Sequence, residues 1–439
     1  MRPWFGVMLA RSPDEKQAFK NGADLSRESY YYLSMSQSAK YMETAEAEGG
    51  VVIADLVNFV LYDAIKAGAS DIHIEPWENS LMVRLRLSGV LKELIQLPLD
   101  LMEKISGRFK AMSNMVTYES SLPQEAHASA GPELGGVELR ISIFPTARGE
   151  KIVIRLFDPG NRKFDLATLG FDEKTHAEFT TLLARPGGLL LVTGPTGSGK
   201  TTALYAALHH IANRAGASMS ISTVEDPVEF NLPMISQSQI NPTKKFTYAA
   251  ALRALMRQDP QVIMVGEIRD AETAAIAVQA GMTGHLVIST THTGIAAGAF
   301  TRLINMDIEP FLLSSSIIGV LAIRLIRKNC PSCSLPYLPE PSLLKLVPQE
   351  LIATADFHKG RGCSECLQTG FIGRTVITEL LIPDEVFRDA ILQKMPTRAL
   401  HQVAVKQGLR TLWHCGLNQV LTGQTTLEEV MRVISVDEI

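Results

Sequence analysis

The first part of the chain changes from a helical to an alternating pattern of apolar residues. Apolar positions recur at helical spacing between residues 51 and 67, which predicts a helix with one buried face. The segment 81–87 then alternates apolar with basic residues, and a similar alternation returns at 137–141 and 151–156. Such alternation is typical of strands with one buried face. The pattern predicts a small α+β domain over residues 51–158, with arginines along one face of its sheet.

The second half of the chain alternates helical patterns with short strands that are apolar throughout. Continuous apolar runs occupy residues 188–193, 262–265 and 285–290. Strands that are apolar on both faces and separated by helices are typical of a parallel sheet buried on both sides. We therefore predict an α/β domain over residues 171–439.

Two segments lack such patterns. Residues 1–50 are polar and end at Gly49-Gly50, so we interpret them as a helix-bearing arm or linker. Turn-forming residues at 158–163 predict a linker, which we place at 159–170. The sequence thus predicts an arm followed by two domains.

Composition excludes several classes of protein. The 439 residues are 46% hydrophobic and 20% charged, which excludes wholesale disorder. A net charge of -4 gives no overall positive field for duplex nucleic acid, so no nucleic-acid partner is expected. The long uncharged run between Glu272 and Arg302 contains glutamine, histidines and glycines, which favour a buried strand and helix over a membrane span. Because the first residues contain no signal-peptide core, we expect a soluble cytoplasmic protein.

The strongest chemical signal is a glycine-rich loop between a predicted strand and a predicted helix. The run 188–193 leads into GPTGSGKT at 194–201, and an alanine-rich helical run follows. This is a Walker A loop in its strand–loop–helix setting, where backbone N–H groups and the helix N-terminus bind phosphate. Lys200 is expected to reach the β- and γ-phosphates of ATP, and Thr201 to ligate Mg²⁺. The predicted nucleotide-binding loop consists of Gly194, Pro195, Thr196, Gly197, Ser198, Gly199, Lys200, Thr201 and Thr202.

Acidic residues follow other predicted strands. The strand 262–265 leads to Glu267, which suits a Walker B acid that polarises the attacking water. Glu225, Asp226 and Glu229 lie together beside a proline. Their pattern fits a solvated loop as well as a functional one.

Two histidines, His285 and His292, lie at the two ends of an apolar strand and turn. A satisfied core histidine is the usual interpretation of such a position. The residues alone leave a core role and a functional role open.

Four cysteines form two CxxC pairs, Cys330 with Cys333 and Cys363 with Cys366. Disulfides are disfavoured in a cytoplasmic protein, whereas four thiolates paired in this way suit tetrahedral Zn²⁺. We therefore predict a zinc-bearing subdomain at about 328–378, with a redox CxxC as the alternative.

In this order, these elements resemble the secretion ATPases that power type II secretion and type IV pilus assembly. The resemblance covers about residues 51–439 and implies a RecA-like P-loop ATPase core with a smaller α+β N-terminal domain, a zinc-bearing subdomain and a C-terminal helical part. Beside the Walker A loop and the cysteines, it rests on SDIHIEP at 70–76, TVEDPVE at 223–229, RALMRQDP at 253–260, VGEIRD at 265–270, the segment 283–293 and Gly373-Arg374.

The resemblance implies roles for individual residues. Glu267 would be the catalytic Walker B acid, and Glu229 would orient water or Mg²⁺. His285 and His292 would sense or contact the γ-phosphate, in place of the core role that their pattern favours.

Five arginines also acquire roles from the resemblance. Arg140 and Arg155, on the sheet of the small domain, would reach the phosphates when that domain closes. Arg253, Arg257 and Arg374 would lie at or near the nucleotide site and the subunit boundaries. An arginine delivered only in the closed form would couple hydrolysis to domain motion.

The resemblance implies partners as well. A homo-hexamer that uses ATP, Mg²⁺ and Zn²⁺ is expected. Its motion would be passed to an inner-membrane platform protein, which would hold the ring at the membrane periphery. A separate docking protein is a further expected partner, unless residues 1–50 act as the docking peptide.

The chain departs from the family pattern at five positions. His127 replaces a usual arginine, Gly294 a usual asparagine and Thr291 a usual leucine. Ile323 stands where glutamine is common, and Gln261 where aspartate is common. Because the Walker and acid positions are intact, hydrolysis is still expected.

Three alternatives remain beside an assembly or secretion motor. A pilus-retraction ATPase of the same superfamily is the first, and the four cysteines argue against it because those proteins typically lack them. A nucleic-acid translocase on the same core is the second. A scaffold that has lost turnover is the third.

Overall fold

The computed structural model of this chain describes residues 36–47, 50–157 and 164–435. Residues 1–35 of the predicted arm and the turn-rich residues 158–163 lie outside the described residues. The chain divides into two compact units, which meet in sequence at Pro159 and Gly160.

The first unit contains a six-stranded antiparallel sheet. Its described helices and strands are α1 (Gln37–Ala47), α2 (Ile53–Lys66), β1 (Asp71–Pro76), β2 (Leu81–Leu87), β3 (Val90–Leu97), α3 (Met102–Met112), β4 (Gln124–Ser129), β5 (Glu138–Thr146) and β6 (Gly149–Phe157). The strand order is β3-β2-β1-β6-β5-β4, and neighbouring strands are antiparallel throughout. The helix and the three alternating strands predicted from the sequence are confirmed as α2, β2, β5 and β6.

The alternating strands bury their apolar residues and leave a charged face. In β2 the leucines are buried, while Arg84 and Arg86 are half-buried on the other face. The buried Asp71 of β1 pairs with Arg86 across one neighbouring strand and with Arg155 across the other, at 3.5 and 3.0 Å. The predicted arginine face is therefore held in place by acids of the central strand.

Helix α1 is anchored to α2 through one buried carboxylate. Asp63 of α2 accepts hydrogen bonds from the backbone N–H groups of Gln37 and Ser38, each at 2.9 Å, and from the Ser38 hydroxyl at 2.7 Å. A helix begins with N–H groups that lack partners within the helix, and a carboxylate satisfies them and complements the positive end of the helix dipole. The described end of the predicted arm is thus a helix packed on the first unit.

The second unit contains a seven-stranded sheet in the order β15-β12-β7-β11-β10-β8-β9. All neighbours in this order are parallel except β12 and β15, which are antiparallel. The helices and strands are α4 (Glu173–Leu183), β7 (Gly188–Thr193), α5 (Lys200–Ala215), β8 (Ile221–Glu225), β9 (Ser236–Gln239), α6 (Tyr248–Leu255), β10 (Val262–Val265), α7 (Ala271–Met282), β11 (Leu286–Thr291), α8 (Ala296–Ile304), α9 (Pro310–Ser316), β12 (Ile317–Asn329), β13 (Ser334–Pro336), α10 (Pro341–Leu344), α11 (Gln349–Ile352), β14 (His358–Gly360), β15 (Phe371–Leu381), α12 (Glu385–Leu392), α13 (Thr397–Lys406), α14 (Leu412–Leu421) and α15 (Leu427–Val433).

The central strands are buried on both faces. Leu189 and Leu191 of β7 belong to one hydrophobic cluster, and Leu190 and Val192 of the same strand belong to another. Successive side chains of a strand point to opposite faces, so a strand covered by helices on both sides must be apolar throughout. This confirms the predicted parallel sheet.

The C-terminal helices are tied to the end of β12. The buried Glu429 of α15 accepts hydrogen bonds from the backbone N–H and the guanidinium of Arg327, and also from Arg432. Since β12 ends two residues later, this contact fixes the start of the segment that carries the cysteines. In the part of the chain that the structure describes, no helix is both long and apolar enough to cross a bilayer.

A buried ion pair in the first unit gives a test of this architecture. Lys110 of α3 lies 2.7 Å from Glu150 of β6, and its side chain is 2% exposed. Lys110→Met is expected to lower the free energy of unfolding of this unit by about 3–5 kcal/mol, because Glu150 stays buried without its cation.

Hydrogen exchange of α3 and β6 in urea measures this loss. Lys104→Met, at an exposed position of the same helix, is the matched control and should change the free energy by less than about 0.5 kcal/mol. Equal protection in the two variants would contradict the proposed importance of the pair.

Candidate functional site

The loop 194–199 joins the carboxyl end of β7 to the first residue of α5. Gly194, Gly197 and Gly199 have positive φ angles of 153°, 76° and 98°, which favour glycine. At Gly194 a Cβ would also lie 2.6 Å from the carbonyl oxygen of Ile323. The loop therefore depends on glycine for its shape and for its close packing.

The loop offers donors that suit a phosphate. The Ser198 hydroxyl is buried and has no hydrogen-bond partner among the described residues. Lys200 Nζ donates to the carbonyl oxygens of Gly194 and Pro195 at 2.8 and 2.9 Å, so its ammonium group lies over the loop. An orphaned hydroxyl, an ammonium group and a helix N-terminus together fit the phosphates of ATP.

The ammonium group of Lys200 is easily deprotonated for a lysine. Its pKa is lowered to about 8, chiefly because burial disfavours the charged form, and Arg324 lowers the pKa further by repulsion. The carboxylate of Glu267 acts in the opposite direction. The buried Arg324 donates to the carbonyl oxygens of Ile323 and Gly294, and it therefore lies beside the loop.

Glu267 follows β10 at the same edge of the sheet. One of its carboxylate oxygens lies 3.1 Å from His292 Nε2, and the other pairs with the guanidinium of Arg269. Burial alone would raise the pKa of Glu267, but the hydrogen bonds and charges of Arg269 and His292 outweigh burial and lower the pKa. Glu267 is thus held as an anion, which is the form that can accept a proton from water.

The three acids after β8 lie in different environments. Glu225 is buried and accepts a hydrogen bond from Tyr205 of α5. Asp226 is exposed and lies 3.5 Å from Arg269, and Glu229 is half-buried. The loop that follows β8, residues 226–235, is called the acid loop below. Arg269 therefore connects the acid loop to Glu267.

The two predicted histidines lie at opposite edges of the sheet. His292 contacts Glu267, whereas the backbone oxygen of His285 accepts from the N–H of Gly188, at the start of β7. The His285 ring lies 3.1 Å from the carbonyl oxygen of Ala280. The two histidines flank the six residues of β11, so seven steps of about 3.3 Å separate them by roughly 23 Å. Only His292 is brought together with the loop that follows β7.

The predicted arginines have partners of their own. Arg155 pairs with Asp71, and Arg140 with Glu125, in the first unit. In the second unit Arg253 lies 2.7 Å from Glu272, and Arg257 donates to the carbonyl oxygen of Arg253. Arg374 lies on β15, opposite Arg327 of β12.

Three of the departures from the family pattern lie close to the Walker A loop. The Thr291 hydroxyl donates to the hydroxyl of Thr193, the last residue of β7, at 3.1 Å. The carbonyl oxygens of Ile323 and Gly294 both accept from Arg324. Sequence patterns gave no role to Arg324, although it follows one of the departing positions, or to Arg269, although it lies within VGEIRD.

The four predicted metal ligands form one cluster. The sulfur atoms of Cys330, Cys333, Cys363 and Cys366 lie within 4.8 Å of one another. Three pairs of these atoms are 3.7 to 3.8 Å apart. Tetrahedral zinc with Zn–S bonds of about 2.3 Å places sulfur atoms about 3.8 Å apart, so the cluster fits Zn²⁺. The four cysteines are free thiols, as a metal site requires.

The fold and this site define a P-loop ATPase with a RecA-like core. The chain matches the family model described as type II/IV secretion system protein over residues 46–432. It belongs to this family and is an ATPase.

The chain is similar to proteins of two systems. Type II secretion system ATPase E of Vibrio cholerae is 42% identical over 423 residues, which are 96% of this chain and 83% of that protein. Type IV pilus assembly ATPase PilB of Myxococcus xanthus is 42% identical over 395 residues, which are 89% of this chain and 69% of that protein. The chain is also similar to the crystal structure of the pilus retraction motor PilT with bound ADP, with 25% sequence identity and a TM-score of 0.57. The matched residues cover 86% of this chain and 97% of that chain.

The pKa of Lys200 predicts a pH dependence of nucleotide binding. Below pH 8 the ammonium form already exists, and above pH 8 the lysine must take up a proton before it can attract phosphate. Affinity for ATP is therefore expected to fall above pH 8, by up to about tenfold per pH unit.

Calorimetry in two buffers of different ionisation enthalpy measures this proton uptake. Uptake should approach about one proton per ATP at pH 9 and vanish at pH 7. Lys200→Arg stays charged over this range, so any binding that it retains should occur without uptake. An affinity that is constant from pH 7 to pH 9 in the natural chain would show that Lys200 does not titrate there.

The cysteine cluster predicts a separation between metal and nucleotide. Cys363→Ser is expected to lose bound zinc and to destabilise the subdomain, because four thiolates can contribute on the order of 10 kcal/mol to local folding. Nucleotide binding should change much less. Zinc content by mass spectrometry and binding of a fluorescent ATP analogue measure the two effects.

Cys415→Ser, outside the cluster, is the control and should keep the zinc. An equal loss of nucleotide binding in folded, zinc-free Cys363→Ser would contradict the separation.

Proposed function

We propose that this ATPase works in the cytoplasm as a homo-hexamer and drives the assembly of a type IV pilus or of the pseudopilus of type II secretion. The proposal is supported by relatives that are 42% identical and bear those names. It is also supported by the tetracysteine cluster, which is part of the resemblance to the assembly and secretion ATPases. The pilus retraction motor PilT belongs to the same superfamily, but its identity to this chain is lower, at 25%.

The charged edge of the parallel sheet supports hydrolysis. Glu267 is the proposed group that polarises the attacking water, since Arg269 and His292 keep it anionic. Lys200 is the proposed ligand of the β- and γ-phosphates. Thr201 and Glu229 would hold Mg²⁺ directly or through water, and the ion would neutralise phosphate charge.

The remaining predicted residues complete the proposal. Arg140 and Arg155 are proposed phosphate ligands, because their side chains are 34% and 56% exposed while Glu125 and Asp71 hold them in position. Arg253, Arg257 and Arg374 are proposed to act at or near the nucleotide site and the subunit boundaries. His285 is proposed to sense or contact the γ-phosphate in the assembled ring.

Partners follow from the same proposal. Domain motion would be passed to an inner-membrane platform protein. That protein would hold the ring at the membrane periphery. A separate docking protein, or residues 1–50, would attach it. Zinc in the tetracysteine cluster would stabilise the subdomain that contacts these partners.

Hydrolysis measured across a protein concentration series tests the proposal, with light scattering to follow assembly. Turnover is expected to rise as hexamers form. Glu267→Gln should bind ATP and form hexamers but lose turnover by about 100-fold or more, because the water-activating carboxylate is gone.

Glu309→Gln removes an exposed acid elsewhere in the unit and should keep full turnover. Hexamers of the natural chain without turnover would indicate that the chain is a scaffold or that the platform protein must activate it. Unchanged turnover in Glu267→Gln would rule out the proposed role of this residue.

A further inference from the structure

The acid loop is connected to the phosphate-binding helix through a buried tyrosine. Tyr205 lies on α5, five residues after Lys200, and its side chain is fully buried. At 1.5 Å per residue, it lies about 7.5 Å along the helix from the Walker lysine. Its hydroxyl donates to one carboxylate oxygen of Glu225, at the end of β8.

The donors to Glu225 are neutral groups that also organise the acid loop. Its second carboxylate oxygen accepts from Thr223 Oγ1 at 2.5 Å and from Gln237 Nε2 at 3.0 Å. Gln237 also donates to the carbonyl oxygen of Phe230 at 3.0 Å and accepts from the N–H of Leu232 at 2.6 Å. One buried carboxylate thus orients the side chains that hold this loop.

The tyrosine hydroxyl makes a second contact, to the backbone of Glu229. The backbone N–H of Glu229 donates to Tyr205 Oη at 3.2 Å. Burial, followed by the nearby Glu225 carboxylate, raises the pKa of Tyr205, so the hydroxyl keeps its proton. It therefore donates its proton to Glu225 and acts as an acceptor towards the backbone N–H of Glu229.

The ring of Tyr205 is fixed independently of its hydroxyl. Phe164 packs edge-on against it with ring centres 5.2 Å apart, and Phe230 packs at 6.3 Å. Replacement by phenylalanine retains this packing and removes only the hydroxyl. The two hydrogen bonds can therefore be tested without disturbing the core.

We propose that Tyr205 is a positioning residue for ATP hydrolysis: its hydroxyl, oriented by Glu225, holds the backbone of Glu229 at a fixed place relative to the Walker A loop, and Tyr205 acts on hydrolysis through Glu229. The inference rests on the role of Glu229 proposed above. Sequence patterns gave Tyr205 no role, because a tyrosine on the buried side of a helix is normally part of the core. The structure distinguishes it by the contact of its hydroxyl with Glu229.

A double-mutant cycle under single-turnover conditions tests the inference. Tyr205→Phe is expected to lower the hydrolysis rate about tenfold to 100-fold, because a small displacement of a water- or metal-orienting group is costly. The KM for ATP should stay within about twofold, since Lys200 and the loop are untouched. In the Glu229→Gln background, Tyr205→Phe should cost almost nothing further, because a residue that acts through Glu229 cannot lose the same effect twice.

Tyr337→Phe is the matched control. The Tyr337 hydroxyl also donates to a glutamate, Glu428 at 2.9 Å, and accepts from a backbone N–H, that of Leu427 at 3.3 Å, but in the C-terminal part of the unit. Its loss should leave the hydrolysis rate unchanged. An equal rate loss in Tyr337→Phe would show that losing any tyrosine hydroxyl hydrogen-bonded in this way has this effect.

The outcomes separate this inference from the proposed function. Full turnover in Tyr205→Phe, or a loss that adds fully to that of Glu229→Gln, overturns the positioning role while the ATPase proposal stands. Full turnover in Glu229→Gln removes the role of Glu229 and the inference with it. Unchanged turnover in Glu267→Gln instead removes the proposed hydrolytic centre.

Discussion

The parallel pairing of β7, β11, β10 and β8 is the constraint on which the site depends. Parallel strands end at the same edge of a sheet, so the residues that follow these four strands meet although they lie far apart in sequence. Because both faces are buried, a strand that slipped by one residue would disturb the packing on both sides. Lys200, Glu267 and His292 therefore owe their proximity first to backbone pairing.

The charges at this edge are balanced by groups of the chain itself. Arg269 and His292 stabilise the anion of Glu267, and Arg269 also reaches Asp226. Lys200 is instead close to a second cation, Arg324, and to loop carbonyl oxygens. These two positive charges favour the binding of a triphosphate. The same edge thus combines a stable acid with cations that favour phosphate.

Local patterns predicted the elements whose reasons are local. The Walker A loop needs glycines at defined positions, the strands need continuous or alternating apolar residues, and a CxxC pair places two thiols on one turn. The structure confirms the predicted strands, the parallel sheet and the clustering of the four cysteines. Patterns could not show that the adjacent residues Glu225 and Asp226 have different surroundings. Successive side chains of a strand point to opposite sides, so Glu225 enters the core whereas Asp226 lies near Arg269.

The sequence by itself determined the two kinds of sheet, three strands in each unit, the glycine-rich loop and the paired cysteines, because backbone preference and burial are read from neighbouring residues. Only the tertiary structure decided which side chains share the edge of the sheet that carries the Walker A loop. It placed His292 beside Glu267 and His285 at the far end of the same strand, and it brought Arg324, Arg269 and Tyr205 to the site. The physical reason is that contacts across a sheet depend on strand order and register, which no single segment specifies.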